Sequence, residues 1–154
     1  MIRSVFDFIR YFEGVRRRTW TVVDRLTPAL AAWRPRPDEF TGGAIVRHLA
    51  GAERFFVTRV VDDRWTDDLE RAHGEEMARL ATVPDVRLKA TITDLEGHPT
   101  RVWRVLMAMV EHEVHHRSQL DCWLAAAGAE PPQLYGYRME DVVARARGGT
   151  ARIC

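Results

Sequence analysis

Apolar residues recur every three or four positions over three long stretches of the chain, the spacing of helices that bury one face. In the first, Val5, Phe8, Ile9, Phe12, Val15, Val22, Val23 and Leu26 share a stripe, with Ser4 placed as a cap and Asp7 three residues later. A helix from Ser4 to about Leu26 is predicted. A second stripe, Ile45, His48, Leu49, Ala52, Phe55, Phe56 and Val60, follows Thr41, another good capping residue, and puts His48 on its buried side. The longest run starts with Thr100 as cap and reaches about Ala127, where Gly128 and then Pro131-Pro132 stop it. Its first half, 102–110, is apolar almost all round, which places this helix at the centre of the core.

Between these stretches the pattern weakens. Thr27-Pro28 ends the first helix, and Trp33-Arg34-Pro35-Arg36-Pro37 reads as a connector docking Trp33 on the core, because each proline biases its predecessor toward extended geometry. Thr66 to about Thr82, with Leu69, Met77 and Leu80, predicts a short third helix closed by Pro84. Val86 to Thr93 alternates and is rich in β-branched residues, so it is expected to be extended and to form a small hairpin with residues 100–102 across the turn at 95–99. Residues 139–147 predict a short last helix, and 148–154 a flexible tail.

These elements make an all-α chain, and 154 residues with 46% hydrophobic side chains suit one domain, 1–147, better than two. The net charge of +1, from 23 basic and 22 acidic residues, supplies no field to draw the protein to nucleic acid or to an anionic membrane. The run Arg16-Arg17-Arg18 reads as a solvated helix face. Two cysteines, Cys122 and Cys154, make no disulfide framework and suit a reducing cytosol. Arg3, Asp7, Arg10 and Glu13 interrupt the amino-terminal apolar residues at intervals that a signal peptide or a membrane span would not tolerate, so a cytoplasmic location is expected.

The chemistry points to the last long helix, where His112, His115 and His116 fall within five residues. Positions four apart lie on nearly the same face, so His112 and His116 can aim at one point while His115 aims elsewhere. Their stripe runs Val105, Met109, His112, His116, Gln119 and Trp123. An unsatisfied polar group on such a stripe costs on the order of 1–3 kcal/mol, and a metal ion would satisfy both rings at once.

Two metal readings compete. His112-Glu113-Val114-His115-His116 satisfies H-E-x-x-H, in which Glu113 would be the general base of a metalloprotease. The extended motif, however, wants glycine at 119 and histidine at 122, where the chain has Gln119 and Cys122. Glu130 and Glu140 are the downstream carboxylates left to complete it, and no strand-rich region precedes the helix to hold a peptide. The other reading needs only the second helix beside the last, with His48 opposite the pair, so that three histidines cap one end of a four-helix core and leave positions open to water or substrate. On its own, His48 is about three times as often a hydrogen-bonded core residue as a ligand.

At this point the residues resemble a family. The phrase Tyr11-Phe12-Glu13-Gly14-Val15-Arg16-Arg17-Arg18-Thr19, the histidine of Ile45-Val46-Arg47-His48-Leu49-Ala50, and His112-Glu113-Val114-His115-His116-Arg117-Ser118-Gln119-Leu120 followed by Ala127-Gly128 and Pro131-Pro132 are similar to the DinB/YfiT-like superfamily. The resemblance implies a four-helix bundle with a long connection between helices two and three. It also implies a divalent metal, most often nickel or zinc, on His48, His112 and His116. Where reactions are known there, several use a low-molecular-weight thiol as co-substrate, in transferases and isomerases. The family name implies no DNA binding. The region between helices two and four is short here compared with longer members.

On this reading the chain is a metal-dependent enzyme, a thiol-dependent S-transferase or a related hydrolase or isomerase. Gln119 and Trp123 would line its pocket, although both residue types are more often packing and capping groups. Glu111 and Arg117 read as salt-bridge groups of the bundle, and Cys122 lies off the metal face. His73 and His98, in polar or turn contexts, are expected to be solvated. The alternative is a non-catalytic, stress-associated module that binds a metal or ligand without turning it over. Apolar surface on the first and last long helices exceeds what one bundle needs, so a homodimer is expected, with a small molecule as the other partner.

Overall fold

A computed structural model describes residues 2–68, 73–136 and 139–146, the side chains of 139–141 excepted. Helix α1 spans Val5–Val23 and opens on a complete capping box: Ser4 Oγ accepts from the Asp7 amide, and the Asp7 carboxylate accepts from the Ser4 amide. Ser4→Ala is expected to lower stability by about 1 kcal/mol, read as a lower urea midpoint at unchanged slope.

A five-residue helix that the apolar periodicity does not predict, α2 Pro28–Ala32, follows with Thr27 as its cap. The proline that was expected only to end α1 occupies the first turn of this helix, where its missing N–H is no loss. Trp33 docks on the apolar cluster of Val22, Ile45, Leu49, Leu120 and Leu124, as expected of the connector. Helix α3 spans Gly42–Val61, with Thr41 Oγ1 accepting from the Ala44 amide. Helix α4 spans His73–Ala81, so Thr66–Asp68, which were expected to begin it, are not helical.

The expected extended segment is half right. Asp85–Lys89 is a 3₁₀ turn, buried through Leu88 and fixed to the start of α1 by Asp85 Oδ1, which accepts from the Val5 amide at 2.8 Å. Strand β1, Thr91–Thr93, then pairs antiparallel with β2, Pro99–Arg101, with Ile92 opposite Thr100. Thr100 therefore belongs to a strand and does not cap the long helix α5, Val102–Ala126, whose capping position is Arg101. The helix ends where Gly128 takes a positive φ of 81°, a conformation that glycine adopts without strain. Helix α6, Met139–Ala146, follows, and the tail expected at 148–154 lies outside the described residues.

Helices α1, α3, α4 and α5 make a four-helix bundle. α5 packs on α1 and α3, and α4 packs on the same two helices. Its interior has two apolar clusters. One holds Phe8, Phe12, Val57, Leu80, Leu106 and Met109, and the other holds Val22, Ile45, Leu49, Leu120, Trp123 and Leu124.

Along α1, α3 and α5 the sequence passes from one cluster to the other through a charged residue: Arg16, Glu53 and Glu113 respectively, all buried. Arg16 pairs with Glu53, and its Nη2 lies 3.3 Å from Glu113 Oε2. From α4, His73 Nδ1 lies 2.7 Å from the second oxygen of Glu53. Each bundle helix thus gives one polar group to a single buried layer. This corrects two expectations, since Arg16 is not solvated and His73 is half-buried with a carboxylate partner. His98 is exposed, beside Asp94 and Glu96.

Candidate metal centre

At one edge of the bundle, beside the charged layer, α3 and α5 bring three imidazoles together. His112 and His116 stand one turn apart on α5, and their ring centres are 4.6 Å apart. His48, on the facing helix, lies 4.8 Å from each, again between ring centres. One ligand nitrogen from each ring can be chosen so that all three lie within 4.8 Å of one another.

His48 is exposed, whereas the sequence placed it on the buried side. The buried stripe of α3 runs Ile45, Leu49, Ala52, and position 48 is rotated out of it toward α5 and water. The expectation of a buried core histidine is therefore corrected by its position.

The chemistry of the donors fits a divalent ion. His48 Nε2 and His112 Nε2 face one another at 2.9 Å. Two nitrogens at about 2.0–2.1 Å from one ion stand about 3 Å apart at an octahedral edge. Imidazole binds metal only in its neutral form, and burial together with the neighbouring His116 and His48 rings pushes His112 down to about 4. Burial, then His116, lowers His48 as well. His116 Nδ1 lies 2.9 Å from Gln119 Oε1, so its N–H donates to the amide oxygen and Nε2 is left bare. Gln119→Ala is expected to weaken metal binding about ten- to a hundredfold, measured by competition with a chelator, while the fold is retained.

These depressed values have a consequence for the metal-free protein. A histidine with a lowered folded pKa takes up its proton more readily once unfolded, so its contribution is complete above about pH 6.5 and is lost as pH falls. For His112 the window runs from about 6.5 down to about 4, and the full shift would be worth about 3 kcal/mol. The ring is only partly buried, so solvent screening reduces this to roughly 1–2 kcal/mol. The urea midpoint of metal-free protein should therefore fall between pH 6.5 and 4.5, and by less in His112→Ala.

The other candidates are placed elsewhere. Glu113, the base required by the protease reading, is buried against Arg16 in the charged layer. That reading is therefore corrected: one residue past His112 the helix has turned by about 100°, away from the cluster and into the core. Trp123 is 8% exposed within the lower apolar cluster, so it packs there and does not wall the histidines. Glu111 pairs with Arg104 on the surface, and Arg117 is buried with its Nη2 on Tyr135 Oη. Cys122 is exposed. The side chains of Glu140 and Cys154 lie outside the described residues.

The sequence matches the model of the DinB superfamily over residues 11–120. The chain belongs to the DinB superfamily. Solved structures agree on the fold of this DinB chain. A DinB-like protein from Bacillus subtilis superposes with a TM-score of 0.68 at 18% identity, covering 82% of this chain and 96% of that one. A DinB-like protein from Bacillus cereus gives 0.65 at 18% identity, over 88% and 100%. No curated protein matches. Among the described residues no helix is long and apolar enough to cross a membrane.

The sequence reading missed Arg16, Glu53 and Phe56 as neighbours of the site. The Phe56 and His112 rings meet in a T-shaped contact with centres 5.9 Å apart. For the charges a signal was there: Arg16, Glu53 and Glu113 each fall four residues after a core residue, Phe12, Leu49 and Met109. Two acids and a base on three apolar stripes are complementary, a match that shows only when the three helices are read together.

Proposed function

We propose that this DinB-superfamily protein is a cytoplasmic metal-dependent enzyme, with His48, His112 and His116 holding one divalent ion, nickel or zinc. When bound, the ion would act as a Lewis acid and lower the pKa of a ligand such as a low-molecular-weight thiol. The reaction class that suits this is thiol-dependent S-transfer, or a related hydrolysis or isomerisation.

One observation carries the catalytic reading. Among the described residues the cluster holds three imidazole donors and no fourth His, Cys, Asp or Glu ligand, and one of them, His48, stands at the exposed edge. Structural sites are closed by four protein ligands, whereas catalytic ones keep a position open. The chain's own residues would do the rest: Gln119 holds the His116 ring and its tautomer, and Phe56 shields the His112 side from water.

Elemental analysis of untagged protein, purified without added metal, tests the reading beside His48→Ala. About one ion per chain, lost in the variant, supports it and calls for a screen of thiols with electrophiles. Metal that survives loss of His48, or an absence of metal in both, would sink it. A bound metal with no saturable thiol binding would favour the non-catalytic module.

The same proposal includes a homodimer. Phe6 and Trp20 on α1 and Trp103 on α5 are 65%, 47% and 50% exposed, more apolar surface than a lone bundle of this size needs. Sedimentation at micromolar concentration should give twice the 17.7 kDa chain mass, and a monomer there would remove this part of the proposal.

A further inference from the structure

A groove of about 380 Å³ lies beside the histidine cluster, between α3, α5 and the turn of the hairpin. Its lining includes Phe56, Trp65, Leu95, Val105 and Ala108. Two facts connect it to the cluster. Phe56, a wall of the groove, is the residue whose ring meets His112. Ala108 and Val105 precede His112 by four and seven residues, so they lie on the same face of α5 as the histidine. The α5 side of the groove therefore begins at Ala108, one turn or about 6 Å from His112, and continues past Val105 toward the hairpin.

The walls are apolar and partly rigid. Trp65 stacks on Phe55 with ring centres 4.6 Å apart, and Leu95 at the hairpin tip is 65% exposed with its side chain beside the groove. The charges at the mouth select against anions. Asp94 and Glu96 line it, and its one arginine, Arg104, has both terminal nitrogens on the Glu111 carboxylate, at 2.7 and 3.3 Å. An anionic ligand would meet two carboxylates and a cation already neutralised.

We propose that this groove binds the apolar body of the substrate, an uncharged aryl or alkyl compound, and directs its polar end to the three histidines. The assignment rests on the reading of the cluster as the reaction centre. The volume suits it, being at the small end of the range for ligand pockets. Ala108 sets the depth of the groove, and so the bulk of the compound admitted. A larger apolar groove, about 680 Å³ and lined by Ile2, Leu88 and Trp103, lacks Phe56, the residue that touches the cluster, and it serves as the control.

The experiment is a titration of metal-free protein with the neutral fluorophore N-phenyl-1-naphthylamine, with the anionic 8-anilinonaphthalene-1-sulfonate in parallel. Ala108→Phe should weaken the neutral probe by at least about tenfold, and Leu95→Asp, an exposed change that the fold tolerates, should weaken it several-fold. Trp103→Ala should leave the affinity within about twofold. The neutral probe should bind at least about tenfold more tightly than the anionic one. Added Ni²⁺ should quench the bound probe in the wild type and not in His116→Ala. An affinity unmoved by Ala108→Phe and Leu95→Asp, binding lost only in Trp103→Ala, no binding at all, or a preference for the anion would overturn the proposal. So would bound Ni²⁺ that leaves the probe bright. If Ni²⁺ does not bind while Ala108→Phe still expels the probe, the metal reading fails and the groove stands as a ligand site.

Discussion

Replacement of His116 by alanine is expected to lower the affinity for a divalent ion by more than about a hundredfold, beyond the loss typical of a residue that only supports a ligand. Two of the three donors would remain, His48 and His112, and a two-imidazole site lacks the third bond that the triad supplies. Isothermal titration of metal-free wild type and variant with Zn²⁺ or Ni²⁺ measures the difference directly. His115→Ala provides the contrast. Its ring lies 4.9 Å from that of His116 but is exposed and outside the triad, so its removal should change the affinity by less than about threefold. Equal losses in the two variants would mean that the ion binds the exposed run of histidines and not the triad. The expected loss should also appear as stability, because an ion that binds only the folded chain stabilises it by about 2.7 kcal/mol at a concentration of 100 Kd, and this increment should vanish in His116→Ala.

The other large effect belongs to the charged layer. Arg16→Met keeps an unbranched apolar stem and removes the guanidinium, leaving Glu53 and Glu113 buried with one half-buried histidine beside Glu53. Breaking a buried ion network by removing one partner costs about 3–5 kcal/mol, a large part of the total for a domain of this size. Denaturant unfolding should show that loss, or no folded state at all. The triple variant Arg16→Met, Glu53→Gln, Glu113→Gln distinguishes charge from packing. If the penalty is the uncompensated charge, most of the lost stability returns with the neutral triple; if the triple is no better than the single change, packing of the guanidinium over the Phe12 ring is what matters.

The long helices were legible because their signals are local. Ser4, Thr41 and the three-four spacing of apolar residues fix the start and the buried face of α1 and α3 within a few residues. The pair His112 and His116 was legible for the same reason, as one turn of helix is enough to align them. The partnership with His48 was legible only as a condition, because it depends on α3 and α5 packing side by side across 64 residues of sequence, and the resemblance to a known family turned that condition into an expectation. Thr100 misled because a residue that caps well also suits a strand, and the pairing of Ile92 with Thr100 decided between them. Pro28 misled because a proline ends one helix by the same property that lets it begin another. His73 was read as solvated from its neighbours in sequence, and Glu53, twenty residues earlier, is what the structure puts beside it.

The exposure of His48 bears on how the site would be filled. The two rings on α5 are partly covered, while the ring on α3 stands in water at the rim. An ion could therefore exchange its ligands one at a time from the outside, with the bundle closed and its charged layer intact. Loading would need no unfolding, and the occupant would follow whichever divalent metal is most freely supplied around the protein.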